Sequence, residues 1–175
     1  VAELNAAMDV PSADEVPALE GDNALLLLDR ATVLQSMDDY ERSQRDFGIA
    51  DKAIDMLDLS RGAAAEVGRY LFSDDAGPYR APAFEKLLIN SFNMMNYLAR
   101  HDLSGARVEA RRLAVMQRFL TQEREATALI GLGTYLAGFS FEKSGNVDEA
   151  LRYYEEALTY ARYPSLRDPL RTLTG

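Results

Sequence analysis

Gly138-Phe139-Ser140-Phe141-Glu142-Lys143-Ser144-Gly145-Asn146-Val147-Asp148-Glu149-Ala150-Leu151-Arg152-Tyr153-Tyr154-Glu155-Glu156-Ala157 is the stretch whose reading decides the fold. Phe141 follows Gly138 at helical spacing, and Ala150, Tyr154 and Ala157 recur at helical spacing after the break. Small residues let two helices approach closely, and aromatic rings fill the space beside them. Gly145-Asn146 supplies the turn, and Pro164 lies beyond the end of the second helix. The segment therefore reads as a helical hairpin. Stacked hairpins of this kind expose a groove, which makes a binding scaffold the first functional reading.

Two further hairpins emerge on working outward. Leu27, Ala31 and Leu34 line one side of a helix that begins near Ala24, and Met37-Asp38-Asp39 breaks it with an acid placed to cap the next helix. That second helix presents Tyr40, Ser43, Phe47, Ala50, Ile54 and Leu57 on one face and is expected to end near Ser60-Arg61-Gly62. A helix over 63–72 comes after it, either separate or a continuation bent at Gly62. The stretch Ser73-Asp74-Asp75-Ala76-Gly77-Pro78-Tyr79-Arg80-Ala81-Pro82 is the most loop-like part of the body. A hairpin over 82–120 then sets Leu87, Asn90, Met94 and Tyr97 against Ala106, Ala110 and Leu113, with Asp102 or Ser104 as the cap. Residues after Pro164 form one more short helix. No segment alternates with period two, so the expected class is all-α.

The hairpins resemble tetratricopeptide repeats on these residues: Gly138 and Phe141 with Ala150, Tyr154 and Ala157; Leu27, Ala31 and Leu34 with Ser43, Phe47 and Ala50; Asn90, Met94 and Tyr97 with Ala106, Ala110 and Leu113. The resemblance covers roughly 110 residues and implies a right-handed α-α superhelix. Its spacing departs from the family. Tandem units recur about every 34 residues, whereas Ala50, Leu113 and Ala157 are separated by steps of 63 and 44. The expected architecture is an irregular tetratricopeptide-like stack with hairpins at about 24–60, 82–120 and 122–163, and an inserted helix and loop at about 61–81. An armadillo-like array is the neighbouring alternative. Asn23-Ala24-Leu25-Leu26-Leu27-Leu28-Asp29-Arg30, Asp39-Tyr40-Glu41-Arg42-Ser43, Tyr79-Arg80, Phe84-Glu85-Lys86 and Glu109-Ala110-Arg111-Arg112 are also similar to a family of uncharacterised bacterial repeat proteins. Many of its members resemble secreted or lipid-anchored envelope proteins. That likeness implies no activity, and it tilts the expected location toward the cell envelope over the cytoplasm.

Charge narrows the partners. Nineteen Lys and Arg against 28 Asp and Glu give a net charge of −9. Residues 1–22 hold Glu3, Asp9, Asp14, Glu15, Glu20 and Asp22 with no Lys or Arg, and the segment is expected to form an acidic extended arm or linker ahead of a helical domain over 23–175. An acidic chain repels phosphate backbones, so nucleic acid is not the expected partner. The 47% apolar content is ample for a core. No apolar run reaches membrane-spanning length. The absence of Cys removes disulfides, thiol catalysis and thiolate metal sites. Starting at Val1 rather than Met, the chain is expected to be trimmed, with any signal or lipid anchor already removed.

By the resemblance, the groove is lined by the first helix of each hairpin: Leu28, Thr32 and Gln35, then Ser91, Met95 and Leu98, then Tyr135, Phe139 and Glu142. Tyr135, Phe139 and Met95 would hold a peptide or helix, with Tyr79 and Arg80 as interface residues of the loop. The competing reading is that the acidic arm or the inserted helix fills the groove. The family's grip on a peptide's terminal carboxylate uses Lys, Arg and Asn, and Leu25, Leu28, Thr32 and Leu88 stand in those places here.

Other candidates read more plainly. Arg107, Arg111, Arg112 and Arg118 form a basic helix, first of all a solvated face with local ion pairs. His101 is the only histidine, in an expected turn, and cannot supply a His pair for a metal. Gly131-Leu132-Gly133 lacks the rest of a phosphate loop, and no EF-hand spacing occurs. The reading is a non-enzymatic scaffold for a protein or peptide, with no catalytic residue, metal or cofactor assigned. The alternatives are an enzyme or small-ligand protein with a cleft beside residues 73–82, and a self-associating subunit whose terminal segment 164–175 is a cap or a sticky end.

Overall fold

Helices account for most of the described backbone. The structure, a computed structural model, describes residues 1–68, 83–120 and 127–174. Among them there is no strand, as the missing period-two pattern requires. The chain divides into two compact units, Val1–Ala81 and Pro82–Gly175.

The first unit holds α1 (Ala2–Ala7), α2 (Asn23–Ser36) and α3 (Tyr40–Gly68). Leu27, Ala31 and Leu34 of α2 are buried, as are Phe47, Ala50 and Ile54 of α3. The two helices pack along the stripes that helical periodicity marks out. Ser43 sits fully buried, leaving room for the neighbouring helix. α3 is longer than the expected hairpin arm: it passes through Gly62 without a break and ends at Gly68. A single helical glycine costs only about 1 kcal/mol, and the Ala63-Ala64-Ala65 run after it favours the helix strongly. Residues 1–22 open with α1, which packs on α2, and they bury Asn5, Met8 and Pro17.

The second unit holds α4 (Ala83–Ala99), α5 (Leu103–Leu120), α6 (Thr127–Lys143), α7 (Val147–Tyr160), a 3-10 turn at Pro164–Leu166 and α8 (Arg167–Thr174). α6 packs against α4, α5 and α7. That position explains its composition, apolar around its whole circumference with charge only at Glu142 and Lys143. Small residues make the close approach possible. A methyl group on Gly138 would lie 2.4 Å from Tyr154 Cδ1, and one on Gly133 would lie 2.5 Å from Leu113 Cδ1 and 2.8 Å from Ser91 Oγ. Met94, Ala106, Ala110, Ala137, Phe141, Ala150, Tyr153, Tyr154 and Leu166 form the main core. Leu87, Leu113 and Ile130 form a smaller one.

The three hairpin turns share one backbone geometry. Asp38, His101 and Gly145 adopt left-handed φ values of 62°, 58° and 75°. The amide after each reaches back five residues: Asp39 to the Leu34 carbonyl at 2.9 Å, Asp102 to Tyr97 at 2.8 Å and Asn146 to Phe141 at 2.9 Å. This is the hydrogen-bond pattern of a helix stopped by a left-handed residue. Glycine adopts that φ freely, and Asp and His tolerate it. Asp39 and Asp102 then cap the next helix, accepting from the Arg42 amide at 3.3 Å and the Gly105 amide at 2.9 Å. The turns are offset by 63 and 44 residues, the same steps that separate Ala50, Leu113 and Ala157. All three of those residues have no exposed surface.

Candidate functional site

The face expected to bind a partner falls partly in each unit, and the structure gives its residues unequal roles. In the second unit, Met95 stands on α4, 40% exposed. Ser91, one turn earlier, is buried at the crossing of α4 and α6, and its hydroxyl donates to the Leu87 carbonyl at 2.8 Å. It is a packing residue with its hydroxyl satisfied in its own helix. Tyr135 is half-buried: its ring stacks on Tyr163 with centroids 5.1 Å apart and tilts against Tyr154 at 6.1 Å. Phe139 is half-buried with Lys143 Nζ 5.0 Å from its ring centroid. Glu142 accepts a 2.5 Å hydrogen bond from the Tyr154 hydroxyl and pairs with Lys143 at 3.6 Å. Burial and the Glu142 carboxylate together raise the Tyr154 phenol far above its ordinary value, so it stays a donor.

Tyr163 belongs to the segment after α7, and that segment covers part of α6. Leu166 is buried in the main core, and Leu170 and Leu173 pack against it, while Arg167, Asp168, Arg171 and Thr172 remain exposed. Residues 164–174 thus cover part of the core and leave a polar outer face.

In the first unit, Leu28 is buried, Gln35 is half-buried, and exposed Thr32 donates its hydroxyl to the Leu28 carbonyl at 2.9 Å. The notable chemistry lies beside them. Arg30 and Asp46 are both completely buried. Arg30 Nε donates to Asp46 Oδ2 at 2.6 Å, Nη1 to Asn5 Oδ1 at 2.9 Å, and Nη2 to the Glu15 carbonyl at 3.0 Å and Asp46 Oδ1 at 3.2 Å. Arg45 Nε and Nη2 also donate to Asp46 Oδ1, at 3.0 and 2.8 Å. Arg45 further holds the Asp14 carbonyl at 2.9 Å and the Ala13 carbonyl, and Arg42 Nε holds the Asp14 carboxylate at 2.7 Å. Three arginines therefore fasten the acidic N-terminal segment onto α2 and α3.

This network has a counterpart in the second hairpin. Sixty-three residues on from Arg30 and Asp46 stand Asn93 and Glu109, also buried, with Asn93 Nδ2 donating to Glu109 Oε1 at 3.3 Å. Glu109 is also 3.5 Å from Arg112. In the third hairpin the equivalent positions are Ala137 and Tyr153, and Tyr153 stacks on Phe141 at 5.3 Å. The Oδ1 atoms of Asn90 and Asn93 are buried without a hydrogen-bond partner. Sequence reasoning missed these pairs. The available signal was Arg30 standing among Leu27, Ala31 and Leu34, and Asp46 beside Ser43, Phe47 and Ala50, a charge of each sign on two apolar stripes.

Tyr79 and Arg80, with the rest of the 73–82 loop, lie outside the described residues. His101 is exposed in the α4–α5 turn. Among the described residues no group of three or more His, Asp or Glu side chains is placed to hold a metal, and no helix is long and apolar enough to cross a membrane. Comparison of the chain with family models, curated proteins and solved structures finds no match in any of the three.

Proposed function

We propose that the protein is a non-enzymatic scaffold of tetratricopeptide-like hairpins that binds a protein or peptide along the first helices of its hairpins. The observation that carries the reading is the surface of α4 and α6 in the second unit. Met95 is an exposed, unbranched apolar side chain, adaptable in shape. Ser91 lies level with Gly133, so Met95 lies about one turn further, level with Ala137. Half-buried Phe139 stands at the position of α6 that matches Met95 of α4, 44 residues on, with Lys143 over its ring and Glu142 paired to Lys143. An apolar centre with charged residues at its edge is the anatomy of a binding patch. Tyr135, one turn before Phe139 on α6, is engaged with the Tyr163 ring. The shared turn geometry and the small residues at each crossing support the repeat assignment.

The test is a photo-crosslinking amino acid placed at Met95, with Lys52, exposed on α3, as the control position. In native extract, Met95 should yield a discrete adduct with another polypeptide and Lys52 should not. Equal labelling from both positions, or none from Met95, would refute the assignment of this face.

A further inference from the structure

Two outward helix faces of the second unit complement each other in charge and in spacing. On α5, Val108 and Val115 are 51% and 55% exposed, with exposed Arg111 between them. On α7, Leu158 is 44% exposed and Leu151 is half-buried, with exposed Glu155 between them. Neither Arg111 nor Glu155 has an ion-pair partner among the described residues; the Arg111 guanidinium lies 6.0 Å from the Phe141 ring centroid.

The intervals match when one helix is read backward. Val108 to Arg111 to Val115 steps by three and then four residues, and Leu158 to Glu155 to Leu151 steps by three and then four. In each case the two apolar side chains lie about 10.5 Å apart along the axis with the charge between them. Laid antiparallel, Val108 meets Leu158, Arg111 meets Glu155 and Val115 meets Leu151. All six side chains keep exposed surface within one chain, so the match is unsatisfied there and is available between chains.

We propose that the α5 face of one copy docks antiparallel on the α7 face of a second copy. The two faces differ, so the contact is heterologous: each copy offers one face of each kind, and association extends head to tail. It uses a different surface from the α4–α6 face and does not depend on a partner binding there. Two apolar contacts flanking one exposed ion pair make a weak contact that salt loosens.

Sedimentation equilibrium of the whole chain over a concentration series tests this, with Arg111→Glu, Glu155→Arg and the double exchange. The bare effect of charge would separate the two single variants, because the chain carries −9. Arg111→Glu makes it more negative and Glu155→Arg less so, and general repulsion would weaken one and strengthen the other. The docking contact requires both to weaken, each by about tenfold in association constant, and the double exchange to recover to within about threefold of wild type. The Cys-free background allows a test of direction. A Val108→Cys chain mixed with a Leu158→Cys chain should form a disulfide-linked dimer on mild oxidation faster than the same chain mixed with Leu151→Cys. A wild type that stays monomeric at every concentration, opposite effects of the two single variants, or no recovery in the double exchange would each overturn the proposal, and preferential linkage of Val108→Cys to Leu151→Cys would overturn the antiparallel register.

Discussion

Replacing Asp46 with Asn should destabilise the first unit far more than a surface substitution. The side chain keeps its shape and loses its charge. Arg30, with no exposed surface, and Arg45 both donate to this carboxylate, so the change leaves one guanidinium buried without its counter-charge and a second facing it. Removing one partner of a buried pair costs about 3–5 kcal/mol, chiefly for the charge left behind. Arg30→Met should cost less, because Arg45 still donates to Asp46 at 3.0 and 2.8 Å. The double variant Arg30→Met/Asp46→Leu should be more stable than Asp46→Asn, since both desolvated charges are gone, with a coupling of at least about 1 kcal/mol. With no Trp in the chain, urea unfolding is best followed by far-UV circular dichroism. Amide hydrogen exchange in α2 and α3 would assign the loss to this unit. A cost below about 1 kcal/mol for Asp46→Asn would refute the reasoning, because it would mean that water reaches the pair.

The same geometry sets further outcomes. Deleting residues 1–22 should lower stability by at least about 3 kcal/mol, since it removes buried Met8 and the Asn5 and Glu15 acceptors of Arg30; an unchanged urea midpoint would contradict the fastening by the three arginines. Gly138→Ala should cost about 1–3 kcal/mol in thermal unfolding, because the new methyl meets the Tyr154 ring, which its bond to Glu142 keeps from swinging away. Leu166→Ala should cost about 2–5 kcal/mol and speed exchange throughout α8, as expected for the residue that anchors this segment in the core. For Asp39, desolvation pushes the carboxyl upward, and its bonds to the Arg42 side chain and amide outweigh that, leaving it below the ordinary 3.8. A depressed carboxyl stabilises the fold above its unfolded value and loses that contribution as pH falls through its folded value. Wild type should therefore lose more stability than Asp39→Asn between about pH 5 and the acid limit, as read by urea midpoints across the pH series.

What the sequence makes legible here is local. Helical stripes such as Leu27-Ala31-Leu34 and turn residues such as Gly145 act within a few positions of themselves, and the all-helical class they imply is the one observed among the described residues. The N-terminal segment shows the opposite case. Its two prolines and six acids read as an extended arm or linker, because the residues that hold it stand 15 to 32 positions away, at Arg30, Arg42 and Arg45. Tyr135 stacks on Tyr163, a contact that is illegible in the sequence for a similar reason. Periodicity places it on a helix face but carries no information about the path of Tyr163 in the tail that covers it.

The three hairpins also contain an experiment already performed. Their shared turn geometry aligns Arg30–Asp46, Asn93–Glu109 and Ala137–Tyr153 at one place in the hairpin. The first pair is charged, the second is polar with a buried carboxylate, and the third is apolar and closed by a ring stack. The hairpin therefore forms without a polar pair at this position, and the pair must do something other than specify it. In the first unit that task is visible: Arg30 uses Asp46 to neutralise itself and directs its other donors to Asn5 and the Glu15 carbonyl. The charged pair fastens a segment with no apolar stripe of its own. This is why the double apolar replacement should preserve α2 and α3 while loosening residues 1–22, an outcome that exchange protection at Asn5, Met8 and Val10, whose amides are hydrogen-bonded in the native chain, would reveal directly.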